Sequence, residues 1–436
     1  MPSLNDIPAE HLRDAWVSLA AYGTPPAPEV AAEVLPVWSV GLDDWLERLS
    51  KTFLRDYCRR NTHWKLAIAP YGGGKTHFLL AVAGRAEKEG WAVSYLQCKG
   101  NVTLSDWFSL YESIARSIQL PGSDKRGIRS MAKAALDYMQ TLAAKAPDPD
   151  AALDLQIASL EEDEWPNAAF ARVMGALLRH LREPSARPEI GDAALRWLQG
   201  QPETLIPAER QALRLAPINN AQRAEHGRTL LASLAKFIPK TGAHGLVLLL
   251  DEMDVVFNAR GRAMDRILNA MRIMLDAPDG RVDRTPVFGV FAAPPDVLTK
   301  LRDYAALSQR LRVQTPFFHV GNDNAAQIDL SKIGAEQPLL REIAHHLRRI
   351  GQKAHGWTFD DAKQNQNAQR LASVTSTRHL EVDARRLFVK TWCGLLEAQS
   401  KHGERAYSED ELNDLLSGVH SDILNAQQQP GEDDLG

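Results

Sequence analysis

A short glycine-rich stretch is the first place in this sequence where residue types and their spacing suggest chemistry. In APYGGGKTHF, Gly72, Gly73 and Gly74 stand directly before Lys75 and Thr76. Glycines let successive backbone N–H groups wrap phosphates at the N-terminus of a helix. A lysine in that register contacts the β and γ phosphates, and the hydroxyl residue after it helps to hold Mg²⁺. The expected nucleotide contacts are Tyr71, Gly72, Gly73, Gly74, Lys75, Thr76 and His77.

Ala69 occupies the position at which such loops usually begin with glycine. The first glycine serves the tight turn that leaves the strand, and alanine fits there if its φ angle is negative. We therefore expect modest strain and retained nucleotide binding. The alternative is a flexible glycine turn that happens to precede a lysine, and the strand and helix expected around the loop argue against it.

A pair of acids follows the most apolar run of the chain. Residues 246–250 are all apolar in GLVLLLDEMD, and Asp251 and Glu252 come next. Acids at the carboxyl end of a buried parallel strand face the crevice in which open α/β sheets bind ligands. We expect Asp251 to hold Mg²⁺, directly or through water, and Glu252 to orient and deprotonate an attacking water. Taken alone, the pair is more typical of a solvated acidic turn, so this interpretation depends on the upstream loop.

Two arginines are candidates to complete a site for phosphoryl transfer. Arg310 ends a helix in YAALSQRLRV, and Arg385 begins one in LEVDARRLFVKTW. An arginine that reaches the γ-phosphate raises the rate about 10³- to 10⁵-fold. A solvated surface arginine is an equally good interpretation of each, and Arg312 and Arg386 are close substitutes.

The strand GVFAAPPDVL lacks the polar residue that would sense the γ-phosphate. It offers Ala292, Ala293 and two prolines where an asparagine or threonine would be useful, and Asp296 lies further along. This absence favours slow hydrolysis or the use of another residue.

The elements that must position these residues form a strand, loop, helix and strand in that order. HWKLAIA and WAVSYLQC are predicted strands, and THFLLAVAGRAEKEG is the helix between them. Such a βαβ unit implies a parallel sheet covered by helices. From Lys75 to Asp251 the chain advances by 251 − 75 = 176 residues, whereas a βαβ unit needs only ~30. The sequence therefore predicts a helical insertion.

The predicted fold class is α/β, a P-loop NTPase with a parallel sheet. A large helical insertion and a C-terminal all-helical lid domain accompany the sheet. The predicted divisions are a helical lead-in at 1–45, an ATPase domain at 46–320 with the insertion at about 105–240, a lid at 321–420 and a disordered tail at 421–436.

Composition excludes several classes of protein. The 436 residues are 44% hydrophobic and 24% charged with a net charge of −4, which is ordinary for a globular chain and gives no basic field. Cys58, Cys98 and Cys393 lie far apart, without the spacing of a disulfide framework or a zinc site. No leader-like start is seen, and no run approaches the ~18 apolar residues of a membrane span. We expect a cytoplasmic protein with no membrane partner.

The sequence resembles the P-loop ATP-binding proteins of bacterial BREX-type phage-defence systems, the BrxD-like group. The segments that carry the resemblance fall in the family's order: VGLDDWLERL, APYGGGKTHFLLAVAGRAEKEGWAVSYLQC, LLLDEMD, APPDVLTKLRDYAALSQRL and LLREIAHHLRRIGQKAHGW. The layout also looks like the AAA+ ATPases related to origin-recognition proteins. That likeness implies a sensor-2 role for Arg385 in DARRLF, and a role for Arg310 at a neighbouring subunit.

The resemblance implies ATP and Mg²⁺ as cofactors. It also implies protein partners from a defence system, such as methyltransferase, helicase or nuclease components, with DNA and a second copy of the chain as further candidates. The favoured function is an ATPase that acts as a nucleotide-dependent switch or assembly motor. A nucleotide-gated scaffold with little hydrolysis stays open. A DExD-type helicase is disfavoured, because one ATPase core is recognisable and no S-A-T triplet occurs.

Overall fold

The structure is a computed structural model that describes most of the chain. The described residues are 4–26, 34, 39–98, 104–185, 188–219, 221–257, 259–276, 285–302, 304–311, 318, 322–332, 336–377 and 384–428.

A five-stranded sheet is the central feature of the fold. Its strands are β1 (Thr62–Ile68), β2 (Ala92–Gln97), β3 (Leu246–Asp251), β4 (Val287–Ala293) and β5 (Gln327–Asp329), in the order β2-β3-β4-β1-β5. β2 and β4 both pair in parallel with β3, with Leu248 opposite Ser94 on one side and Gly289 on the other. Every residue of β3 and β4 is buried, as expected for parallel strands covered on both faces. The predicted α/β class is confirmed.

The short strand β5 corrects one expectation, because the lid at 321–420 was predicted to be all-helical. A strand of three residues is too short to show an alternating pattern in the sequence. It forms through backbone pairing: the Leu66 N–H donates to the Ala326 carbonyl at 2.7 Å, and the Phe318 N–H donates to the Gln327 carbonyl at 2.8 Å.

Helices make up most of the remaining described chain. The first ten are α1 (Ala9–Tyr22), α2 (Asp43–Leu49), α3 (Lys75–Lys88), α4 (Trp107–Ser117), α5 (Ile128–Ala143), α6 (Pro149–Glu162), α7 (Ala168–Arg182), α8 (Pro188–Leu198), α9 (Pro207–Ala212) and α10 (Arg223–Phe237). The others are α11 (Met253–Val256), α12 (Arg262–Asp276), α13 (Asp296–Arg302), α14 (Ala305–Leu311), α15 (Glu336–His355), α16 (Asp361–Ser376), α17 (Ala384–His402) and α18 (Glu409–Gln428). None of the helices in the described part of the chain has the length and apolar character that a membrane crossing requires.

The chain divides into two compact units. The first comprises Met1–Glu47, Ala67–Gly84 and Ile328–Gly436, and the second comprises Arg48–Leu66 and Arg85–Gln327. The predicted boundaries at residues 45, 320 and 420 stay predictions.

Within the first unit, α1 packs against the C-terminal helices. Trp16 is 1% exposed. Its indole N–H donates to the Glu397 carboxylate at 2.8 Å, and its ring meets Trp357 edge-on at 5.3 Å. Arg13 donates to the Ala354 carbonyl at 2.7 Å. The N-terminal helix is therefore held by hydrogen bonds as well as by apolar burial.

Within the second unit, helices α4 to α10 occupy the region predicted as the insertion. α10 lies very close to α4, since a Cβ atom at Gly227 would come within 2.4 Å of the Phe108 nitrogen. Only glycine permits this approach, which lets the two helices bury their apolar faces against each other.

The last helix extends into the tail that was predicted to be disordered. α18 runs to Gln428, while residues 429–436 lie outside the described residues. Leu412, Leu416 and Ile423 are all buried. Their spacing of four and seven residues places them on one face of the helix, which anchors it beyond residue 420.

Candidate nucleotide site

The loop before α3 has the backbone geometry that its glycines permit. Gly72 and Gly74 both have a φ of 84°, in the left-handed region that favours glycine. The Gly73 N–H donates to the Pro70 carbonyl at 3.0 Å, which closes a tight turn. The Phe78 N–H donates to the Gly74 carbonyl at 2.8 Å, so the helix starts directly after the loop. A Gly-rich turn ahead of a helix N-terminus can present backbone N–H groups to an anion.

Ala69 fits the start of the loop without a left-handed conformation. Among the described residues, the non-glycine positions with positive φ are Arg214 and Glu252, so Ala69 is not one of them. Its side chain is 1% exposed. The strand therefore enters the turn with alanine at the position where glycine is usual.

Lys75 lies against the backbone of its own loop. Its ammonium donates to the Ala69 carbonyl at 2.9 Å and to the Pro70 carbonyl at 2.8 Å, and it lies 5.2 Å from the centre of the Tyr71 ring. Carbonyl oxygens are acceptors that phosphate oxygens can replace, so the lysine is held at the loop by bonds of an exchangeable kind.

Arg385, at the start of α17, lies beside the loop. A Cβ atom at Gly74 would come within 3.9 Å of Arg385 Nη1. Arg385 Nη2 donates to the Leu330 carbonyl at 3.2 Å, which orients the guanidinium. The fold therefore places the positive charge of Arg385 beside Gly74 within the first unit, although the two residues are 311 positions apart (385 − 74) in the sequence.

His77, a predicted nucleotide contact, lies against Ser39, which the sequence did not indicate as part of the site. The Ser39 hydroxyl and His77 Nε2 are 3.0 Å apart. Burial lowers the pKa of His77 to about 4, with a further contribution from Arg385. The imidazole is therefore neutral near pH 7. No pattern marks Ser39, because it lies far from the loop in sequence and has no motif of its own.

Asp251, at the end of β3, is held from two sides. Its side chain is buried, with 1% of the residue exposed. The Tyr95 hydroxyl donates to Oδ2 at 2.7 Å, and the Glu252 N–H donates to Oδ1 at 2.9 Å. The Cys98 N–H donates to the Asp251 carbonyl at 3.0 Å and continues the pairing of β2 with β3. This carboxylate therefore has a defined orientation.

Glu252 has an unusual backbone. Its φ is 57°, a left-handed conformation that costs about 1–3 kcal/mol for a residue with a side chain. The kink separates β3 from the short helix α11. Strained backbone of this kind is concentrated at functional sites, and the sequence carries no signal for it.

The glycine-rich loop and the acidic pair belong to different units. The loop, His77 and Arg385 lie in the first unit, and Asp251 and Glu252 lie in the second. Their joint action on one nucleotide stays a prediction.

The structure describes the other candidate arginines, Arg310, Arg312 and Arg386, to different extents. Arg310 is on α14, whose backbone is described, and Arg312 lies outside the described residues. Arg386 Nε donates to the Tyr22 carbonyl at 3.0 Å, at the end of α1. Arg386 therefore has a structural contact that Arg385 does not make.

The carboxyl end of β4 is apolar, as its sequence indicated. Ala292 and Ala293 are both fully buried. Asp296 is the first residue of α13, beyond Pro294 and Pro295.

A cavity of about 430 Å³ lies at the edge of the sheet where strands begin, opposite to their carboxyl ends. Its lining includes Thr62, Leu246 and Val287, which begin β1, β3 and β4. Among the residues whose side chains the structure describes, none of the predicted site residues lines it. Ligands of open α/β sheets bind at the carboxyl ends of the strands, so this cavity is not the predicted nucleotide site.

The residues present fit ATP and Mg²⁺. The loop supplies the backbone N–H groups at the N-terminus of α3 and a lysine. The Thr76 hydroxyl and the Asp251 carboxylate are hard oxygen donors, the type that Mg²⁺ prefers. Mg²⁺ usually takes only one or two carboxylates, together with substrate phosphates and waters. Among the described residues, no group of three or more His, Cys, Asp or Glu side chains could hold a metal ion.

Comparison with known families gives one match. The model of a family described as "BREX system ATP-binding protein BrxC/D" matches residues 29–410. No curated protein and no solved structure gives a significant match.

Proposed function

The chain belongs to the family of BREX system ATP-binding proteins BrxC/D, and we propose that it is an AAA+ type ATPase. The family comprises ATP-binding proteins of BREX phage-defence systems. In our proposal the nucleotide state of this chain acts as a switch or assembly motor for other components of such a system.

The phosphate loop is the observation that carries the proposal. Two glycines with positive φ precede Lys75 at the N-terminus of α3, and the guanidinium of Arg385 lies beside Gly74. Backbone donors, an ammonium and a guanidinium around one turn favour a polyphosphate over a neutral ligand. We assign Tyr71, Gly72, Gly73, Gly74, Lys75, Thr76 and His77 to nucleotide contact.

The catalytic assignments follow from the chemistry of the side chains. Thr76 and Asp251 would hold Mg²⁺, which when bound neutralises phosphate charge and orients the phosphates. Glu252 would accept a proton from the attacking water. Arg385 would contact the γ-phosphate of its own chain's nucleotide, and Arg310 that of a neighbouring copy, which requires a homo-oligomer.

A second candidate function is a nucleotide-gated scaffold that binds ATP and hydrolyses it slowly. The observation that favours it is the apolar end of β4, where Ala292 and Ala293 are fully buried. A strand end without a polar group cannot sense a γ-phosphate by hydrogen bonding.

We propose defence-system proteins as partners, such as methyltransferase, helicase or nuclease components, with DNA as a further candidate and the cytoplasm as the location. The chain's net charge of −4 means that contact with DNA would depend on a local basic surface.

Titration of a fluorescent ATP analogue into the Lys75→Ala variant tests the proposed function. We expect a loss of affinity of about 100-fold, because charge-assisted hydrogen bonds contribute about 1.5–3 kcal/mol each. Lys88→Ala, an exposed lysine at the other end of α3, is the matched control and should bind like the wild type. Equal affinities for the two variants would contradict the proposed site.

Phosphate release by the purified chain then separates the two candidate functions. Steady multiple turnover, with or without DNA, supports the ATPase, and binding with less than one turnover supports the scaffold.

A further inference from the structure

We propose that Tyr95 is a positioning residue that holds Asp251 in the orientation needed to bind Mg²⁺. The inference rests on the proposed function, because it assigns a role toward the metal of a bound nucleotide. Its basis is a contact within the second unit, where the Tyr95 hydroxyl on β2 donates to Asp251 Oδ2 at 2.7 Å.

The pairing of β2 with β3 explains why Tyr95 reaches the acid. Tyr95 is opposite Leu249 and Gln97 is opposite Asp251. Side chains two residues apart on a strand point to the same face of a sheet, so Tyr95 and Asp251 share a face on neighbouring strands. A long side chain such as tyrosine spans the diagonal between them.

Both carboxylate oxygens of Asp251 accept hydrogen bonds, which fix the orientation of the side chain. Oδ2 accepts from Tyr95, and Oδ1 accepts from the Glu252 N–H at 2.9 Å. Carboxylate oxygens are hard donors of the kind that Mg²⁺ takes as ligands. Because the rotamer is set in advance, binding a metal costs less side-chain entropy.

A bond that serves only to join two strands is the competing explanation. Removing such a bond would weaken the fold and every kind of nucleotide binding together. A positioning bond would change the part of the affinity that depends on the metal, so the metal dependence of binding distinguishes the two.

The experiment measures the affinity of the full chain for a fluorescent ATP analogue with Mg²⁺ and again in EDTA. The ratio of the two affinities reports the contribution of the metal. We expect Tyr95→Phe to reduce this ratio by about tenfold, as loss of groups that orient a metal ligand commonly does. The affinity in EDTA should stay at the wild-type value, which also shows that the variant is folded.

Tyr111→Phe is the matched control. The Tyr111 hydroxyl donates to the Leu198 carbonyl within the helical insertion. This variant also loses one internal hydrogen bond, and we expect its ratio to equal that of the wild type.

A second variant shows whether the effect acts through Asp251. Adding Tyr95→Phe to Asp251→Asn should cause no further fall in the ratio, because residues that act through one another are not additive. An unchanged ratio in Tyr95→Phe, or an equal loss of affinity with Mg²⁺ and in EDTA, would overturn the inference. A wild-type chain that binds no nucleotide, or binds it without regard to Mg²⁺, would instead refute the proposed function itself.

Discussion

Strands β3 and β4 are neighbours that run in parallel and are buried along their whole length, yet they end very differently. β3 ends in Asp251, which is held by Tyr95, and in Glu252, whose backbone is left-handed. β4 ends in two buried alanines and two prolines.

The difference shows that burial alone does not mark a functional strand. Both strands contribute apolar side chains to the core, but only β3 carries polar groups held by hydrogen bonds at its carboxyl end. In β4 the close packing lies earlier, where Trp64 stacks on Phe291 at 4.6 Å and covers Gly289. We therefore expect changes at the end of β3 to affect turnover, and changes in β4 to affect stability.

The largest expected effect is that of Glu252→Gln. The amide cannot accept the proton of an attacking water, so turnover should fall by about 10²- to 10⁴-fold. Nucleotide affinity should remain, since the loop is unchanged. Steady-state phosphate release and analogue titration measure the two quantities. Glu203→Gln, at an exposed acid between α8 and α9, is the control, and undiminished turnover in Glu252→Gln would refute the assigned base.

The next effect should come from Gly289→Ala in β4. A Cβ atom there would lie 2.0 Å from the Trp64 ring, whose residue is 5% exposed, so the ring must move or the strand must shift. Overpacking of this kind costs about 1–3 kcal/mol. Denaturant unfolding should show the loss, while turnover per folded molecule stays near the wild-type value.

Gly394→Ala is the control for that experiment. Gly394 is an exposed helix position with nothing within 4 Å of the added Cβ, and alanine there should be neutral or stabilising. Comparable destabilisation by the two substitutions would show that packing against Trp64 is not the cause.

A third effect concerns Lys65 on β1, and it tests whether a buried polar group marks function. Its ammonium donates to the carbonyls of Asp323 at 2.7 Å and Ala325 at 2.6 Å and lies 4.3 Å from the centre of the Phe53 ring. Burial lowers its pKa from 10.5 to about 7, against the raising influence of Cys58 and Asp323. We interpret this lysine as structural, because backbone carbonyls hold it.

The pH dependence of unfolding measures that role. Between pH 7 and 10.5 the unfolded chain keeps the proton on Lys65 and the folded chain has lost it. Stability should therefore rise with pH in this window, by up to about 1.4 kcal/mol for each pH unit. Lys65→Met should lack this rise and Lys51→Met, an exposed lysine, should retain it. Equal slopes for wild type and Lys65→Met would show that the burial cost is absent.

Local patterns predicted much of the fold. The four longer strands, the helix after the loop, the end of α14 and the start of α17 could be placed from apolar runs, glycines and helical spacing. β5 could not, because three residues show no period and its pairing partner Leu66 lies 260 positions earlier (326 − 66). The helical part of the tail was missed because its apolar anchors are spread over more than three turns among polar residues.

The candidate site likewise has features that the sequence predicted and contacts that only the tertiary structure shows. The sequence by itself predicted the glycine-rich loop, the acidic pair and the apolar end of β4. Each of these is a run of adjacent residues, so the residue types and their order are enough to indicate the chemistry. Only the tertiary structure decided that Tyr95 holds Asp251, that Ser39 meets His77 and that Arg385 rather than Arg386 lies beside Gly74. Strand register and helix packing create these contacts, and they depend on energies summed over residues far apart in the chain. The left-handed backbone of Glu252 belongs with them, since glutamate adopts that conformation only where its surroundings enforce it.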